Sequence, residues 1–291
     1  MTRMLAFVAA LLMTAISVSS ACVASNIAPL QFTIEPSGND ERLQLHFKRA
    51  DTRGTSSWSN SYRPGELSGL DAISLRAPGA RPVRFWIARE AGRIDCAGNG
   101  GNARAIGTCS VAADPRFLQF LRANGIGNPT QEQTYGMIAI DVRRDLVTGL
   151  KAASYPTPSI DKLIELSAVG VTPAYIRELA THGYRPRSLQ ELVEFRAMNI
   201  TPQFIASFSR AGYANLAPGD LVQLKAMDIT PEFIAGFERI GYRNLPVDTL
   251  VQLKAMNVTP EFVRAVQKGD TLPSPDRLVQ IRAVSQGIRN R

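Results

Sequence analysis

The dipeptide Thr-Pro recurs at Thr172-Pro173, Thr201-Pro202, Thr230-Pro231 and Thr259-Pro260, each pair 29 residues after the last. Gly183-Tyr184, Gly212-Tyr213 and Gly241-Tyr242 keep the same step. A fixed period of this length marks stacked supersecondary units, because one such unit cannot bury its apolar face alone. Carried backwards, the period leads from Thr201 to Asp114-Pro115 and from Tyr184 to Tyr155 and then Ile126, so diverged copies begin near residue 114. Carried forwards, Leu278-Val279 matches Leu250-Val251 once a single residue is removed. About five units and a terminal half-unit are expected over residues 114–291.

Each unit encodes two short helices. In the second, Thr230 is the N-cap, Pro231 takes the first helical position, where no amide proton is missed, and Glu232 complements the helix dipole. Ile229 before the cap and Ile234 inside the helix form a hydrophobic staple, repeated as Val171 with Ile176, Ile200 with Ile205 and Val258 with Val263. Gly241 can turn left-handed to end the helix, and Tyr242 follows where the terminating motif calls for an apolar contact back onto the last turn. The first helix opens on caps such as Ser188, whose partner Glu191 is expected to complete a capping box. It ends at Gly170, Asn199, Asp228 or Asn257, residue types that tolerate the left-handed conformation. Helices this short do not stand alone in water, so the pairs are expected to stack into an α-solenoid.

Polar pairs interrupt the apolar run of each first helix: Glu194 and Arg196, Gln223 and Lys225, Gln252 and Lys254, Gln280 and Arg282. They are expected to face outwards as a ladder of cations. Two readings stay open, a solvated face that keeps the array soluble and a groove for an acidic or carboxylate-bearing partner. Ser167 stands in the same column and breaks the ladder at its first rung.

Residues 25–113 have a different pattern. Period-2 or short apolar stretches at 30–34, 43–47, 83–87, 93–96 and 105–111 alternate with Gly, Asn, Asp, Ser and Pro clusters, which predicts a small antiparallel sheet and an α+β chain overall. His46, between Leu45 and Phe47, is expected on the solvent face. Cys96 and Cys109 flank the segment Gly98-Asn99-Gly100-Gly101-Asn102, whose glycines can supply the positive φ angles of a hairpin turn. A structural disulfide between neighbouring strands is expected, since the pair has neither CxxC spacing nor a helix N-terminus to lower a thiol pKa.

Arg3, the apolar run to Val18 and the small residues Ser19, Ser20 and Ala21 have the layout of a secretory signal over residues 1–24. Cys22 follows Ala21 as a lipid-anchored cysteine would, while cleavage after Ala24 would remove it. No segment is long enough for a permanent transmembrane helix. The net charge of +8 is spread along the chain, and together with export this argues against nucleic acid as a partner. Two histidines without HExxH spacing, three cysteines and no GxSxG elbow leave little for metal or triad chemistry, and no cofactor is implied.

The units "LVQLKAMDITPEFIAGFERIGY" and "LIELSAVGVTPAYIRELATHGY" resemble helical repeats of a family of exported bacterial proteins whose function is not assigned. Similar repeats follow the membrane domain of some metallopeptidases of the β-lactam-sensor, antirepressor type. The segment "VRFWIAREAGRIDCAGNGGNARAIGTCSVAADPRF" is similar to the β hairpin that precedes the repeats in the standalone proteins, so the resemblance covers most of the mature chain. The peptidase's HExxH and multiple membrane helices are absent from this sequence, so no protease activity is implied. The function expected is that of a noncatalytic protein of the periplasm or cell envelope whose repeat array binds a protein or peptide through Glu194, Arg196, Gln223, Lys225, Gln252, Lys254 and Arg282. The alternative is a ligand-sensing domain that relays an envelope signal to a membrane partner.

Overall fold

The computed structural model describes residues 30–37, 42–51, 54–269 and 271–289. The expected signal segment and Cys22 lie outside the described residues. The chain is α+β, as expected: an antiparallel sheet of six strands is followed by twelve helices among the described residues. The strands β1 (Leu30–Pro36), β2 (Leu43–Asp51), β3 (Gly54–Tyr62), β4 (Arg81–Arg89), β5 (Gly92–Gly101) and β6 (Arg104–Ala113) run in the order β3-β2-β1-β6-β5-β4. A single turn of helix, α1 (Ala72–Arg76), is capped by the Asp71 carboxylate, which accepts the Ile73 and Ser74 amides.

All five expected strands are present, and β3 is an addition. Its sequence, GTSSWSNSY, carries no apolar alternation. It is a strand because β2 pairs with it from Leu43 opposite Tyr62 to Asp51 opposite Gly54, and because Tyr62 is buried. The hairpin turn also differs from expectation. Asn102 and Ala103, with φ of 54° and 64°, make the turn, while Gly98, Gly100 and Gly101 lie within β5. Their role is close approach. A Cβ on Gly98 would stand 2.0 Å from the Ile106 carbonyl oxygen, and one on Gly101 would stand 2.2 Å from that of Gly79.

Alternation along the strands puts Phe32, Ile34, Leu45, Phe47, Phe85, Ile87 and Ile94 on one buried face, with His46 exposed on the other as expected. The Phe32 and Phe85 rings meet edge-on at 5.0 Å. Helices cover this face. After α2 (Pro115–Ala123), α3 (Gln131–Ala139) lies across β4, β5 and β6 and sends Tyr135 to within 5.3 Å of the Phe47 ring and 4.6 Å of the Trp58 ring.

The remaining helices are α4 (Arg144–Ala152), α5 (Ile160–Ala168), α6 (Pro173–Thr181), α7 (Leu189–Ala197), α8 (Pro202–Arg210), α9 (Pro218–Ala226), α10 (Pro231–Glu238), α11 (Val247–Ala255), α12 (Pro260–Val266) and α13 (Pro275–Arg289). The even-numbered helices from α2 start at 115, 144, 173, 202, 231 and 260, a constant step of 29 residues. The series α3, α5, α7, α9, α11 and α13 packs each helix on the next.

Local chemistry explains these boundaries. Asp114, Thr172, Thr201, Thr230 and Thr259 each accept the amide three residues on, at 2.7 to 3.3 Å, and each is followed by Pro. Gly170, Asn199, Asp228 and Asn257 have φ of 78°, 52°, 50° and 51°, so the expected terminators do turn left-handed. In the turn beyond, the amides of Val171, Ile200, Ile229 and Val258 close back onto Leu166, Phe195, Leu224 and Leu253. The box at Ser188 is different. Ser188 accepts the Glu191 amide at 3.1 Å, but the Glu191 carboxylate accepts the Arg187 amide at 2.6 Å, one residue further out than a capping box requires.

The core does not break at residue 113. One buried cluster runs from Leu30 in β1 to Leu221 in α9, and a second from Phe208 to Leu278 shares Phe204 and Leu216 at its margin. Polar ties cross the same junction: Glu90 accepts the Arg144 amide at 3.0 Å, and the Arg144 guanidinium stands 3.5 Å from Asp114.

Candidate functional site

The helices are joined by two chemically distinct kinds of turn, those from an odd-numbered helix into the even-numbered one after it and those from an even-numbered helix to the next odd-numbered one. The cation ladder lies at the former. Arg196, Lys225, Lys254 and Arg282 are half-buried, whereas Glu194, Gln223, Gln252 and Gln280 beside them are exposed. Each cation sits over an aromatic ring of the preceding unit: Arg196 over Tyr175 at 5.1 Å, Lys225 over Phe204 at 5.0 Å, Lys254 over Phe233 at 5.2 Å and Arg282 over Phe262 at 4.7 Å. Three of them also donate to a carbonyl at the end of the preceding unit's first helix. Arg196 Nε reaches Gly170 O at 2.9 Å, Lys254 Nζ reaches Asp228 O at 2.8 Å and Arg282 Nε reaches Met256 O at 3.3 Å. A cation there meets the negative end of a helix dipole and the negative face of a ring together. The cations therefore tie α7, α9, α11 and α13 to the helix pair before each, and they stand half-buried where they were expected to face outwards.

This geometry explains the broken rung. Tyr175, Phe204, Phe233 and Phe262 occupy the third position of their helices, and in α4 that position is Leu146. With no ring beneath it, the column holds Ser167 in place of a cation. Phe117, the equivalent ring in α2, is met instead by Arg144 at 5.2 Å. The pairing of a ring with a cation 20 or 21 residues later was present in the sequence and is the signal that points to a stapling role.

The other kind of turn carries the tyrosines. Tyr184 Oη donates to Leu216 O at 3.1 Å, Tyr213 Oη to Leu245 O at 2.8 Å and Tyr242 Oη to Pro273 O at 2.5 Å. The column expected as apolar packing thus also bolts Tyr184, Tyr213 and Tyr242 to backbone 31 or 32 residues further on. Burial raises the pKa of all three phenols, and that of Tyr175, which donates to Ile200 O at 2.8 Å, is pushed up to about 12. Near the first units a turn of this kind opens into a cavity of about 250 Å³ lined by residues including Asn124, Ile126, Leu150, Lys151, Tyr155 and Pro158.

In the sheet, Cys96 and Cys109 are direct partners in the β5–β6 register, buried and disulfide-bonded with Cα atoms 4.1 Å apart. The outer sheet face carries a shallow groove bordered by Arg84, Trp86, Arg93, Thr108 and Ser110, in which Arg93 stacks on Trp86 at 4.6 Å and pairs with Asp95 at 2.6 Å. Among the described residues no three His, Cys, Asp or Glu side chains are grouped to hold a metal ion, and no helix is long and apolar enough to cross a membrane. No protein-family model, curated protein or solved structure matches the chain.

Proposed function

We propose that the helices form an α-solenoid of two-helix, 29-residue units, and that the chain is a noncatalytic exported protein of the cell envelope whose array binds a protein or peptide along the cation edge. The observation that carries this reading is the register of Arg196, Lys225, Lys254 and Arg282, one per unit, each held by the ring beneath it. Arg196 and Arg282 spend Nε on a carbonyl, which leaves their terminal nitrogens outside that bond, and Glu194 and Gln280 on the same helices are exposed. Donors immobilised in this way lose little entropy when a carboxylate-bearing segment docks. Packed helices stand about 8–10 Å apart, and a polyproline-II segment advances about 9 Å every three residues, so acidic side chains at that spacing would meet successive rungs. The disulfide suits an oxidising compartment.

Charge reversal at the cations would break the staples, so the test uses their exposed neighbours. Cross-linking with mass spectrometry is carried out in envelope extract on the mature protein and on a Gln223→Trp, Gln252→Trp variant. The expected result is a defined partner, cross-linked along this edge, that the variant loses while its melting temperature is unchanged. Retention of that partner by the variant, or no cross-linked partner at all, overturns the reading.

A further inference from the structure

We infer that the cavity on the tyrosine edge is a binding site for a small phenolic acid, whose ring and hydroxyl do there what a tyrosine side chain does in the later units. Tyr184, Tyr213 and Tyr242 each follow a left-handed glycine, and the amide of each closes onto Leu179, Phe208 or Phe237. Ile126 stands in the same backbone setting, after Gly125 at φ 74° and with its amide closing onto Leu121. Tyr184 and Tyr213 donate to a carbonyl 32 residues further along, and the residue 32 beyond Ile126 is Pro158. Ile126 and Pro158 both line the cavity. The missing ring and the cavity therefore coincide. Isoleucine has no hydroxyl to bond that carbonyl and is too short to fill the space.

The volume, about 250 Å³, exceeds the roughly 150 Å³ of an engineered core cavity that holds benzene, so a substituted ring fits. The acid group is assigned from Lys151. It lines the cavity, is exposed, and has no carboxylate within 4 Å among the described residues. The residues 25 positions after Ile126, Tyr155, Tyr184 and Tyr213 are Lys151, Ala180, Ser209 and Glu238, so of these four places only the one that follows Ile126 holds a cation. This site lies on the edge opposite the ladder and stands or falls independently of partner binding there.

The mature protein is titrated with 4-hydroxyphenylacetate, p-cresol and phenylacetate, with binding followed by calorimetry and NMR, beside Ile126→Tyr and Lys151→Met variants. Saturable binding of 4-hydroxyphenylacetate is expected, weakened about tenfold for phenylacetate, which lacks the donor, and similarly in Lys151→Met. Ile126→Tyr is expected to abolish binding and raise the melting temperature, because its own ring occupies the cavity. No saturable binding of 4-hydroxyphenylacetate overturns the inference, as does undiminished affinity in Ile126→Tyr or equal affinity for phenylacetate.

Discussion

Tyr213 and Tyr135 carry the same hydroxyl into opposite circumstances. Tyr213 Oη donates to Leu245 O at 2.8 Å, whereas Tyr135 Oη is buried against Phe47 and Trp58 with no hydrogen-bond partner among the described residues. Removing a made bond costs stability; removing an orphaned buried donor does not. Tyr213→Phe is therefore expected to destabilise the protein by about 1 kcal/mol, and Tyr135→Phe to be neutral or stabilising by a similar amount, both read from urea denaturation midpoints. An equal loss in both variants would show that ring packing dominates at these positions. The tyrosine column was legible in the sequence as a repeat, but the destinations of its hydroxyls were not, because each acceptor lies 31 or 32 residues away on the next unit.

At the scale of elements, the helices are specified locally and the sheet only in part. Thr230, Pro231 and Gly241 set the limits of α10 through contacts within a few residues, so its place could be read from the chain. The strand β3 could not, because GTSSWSNSY owes its conformation to β2 beside it and to the burial of Tyr62. The β5–β6 hairpin stands between these cases: its strands and disulfide were readable, while the turn moved to Asn102-Ala103 because Gly98 and Gly101 are needed for close approach. The bond between Cys96 and Cys109 closes a short loop, with the two residues separated by 13 in sequence. Replacing both cysteines by serine is expected to lower unfolding free energy by about 2 to 4 kcal/mol, measured by denaturant unfolding of the oxidised parent and the variant side by side. A smaller effect would mean that the ladder hydrogen bonds of the hairpin suffice without it.

Across the whole molecule, every one of the seven tyrosines has its phenol pKa raised, and in each case burial is the largest cause. The sign of the consequence follows. Above about pH 10 the unfolded chain gives up phenolic protons that the folded chain retains, so it binds fewer protons and stability falls as pH rises. The loss begins near the ordinary tyrosine value and continues towards the folded value of about 12 for Tyr175. Alkaline titration followed by phenolate absorbance and far-UV circular dichroism is expected to show ionisation and loss of helix together. Tyrosines that ionise near pH 10 with helix intact would contradict the buried, bolted arrangement.

The period, the helix boundaries, the caps and the disulfide pair were determined by the sequence itself, because each depends on backbone groups satisfied within a few residues or on a pattern that repeats unchanged. Tertiary structure decided the rest. It made a strand of β3, carried one core from the sheet into the helices, and turned a ladder expected to face solvent into staples over Tyr175, Phe204, Phe233 and Phe262. It also opened a cavity where Ile126 stands in the column that later holds tyrosines. The physical reason is the same in each case: these features arise between residues distant in the chain, and whether a cation finds a ring or a hydroxyl finds a carbonyl depends on how neighbouring units pack.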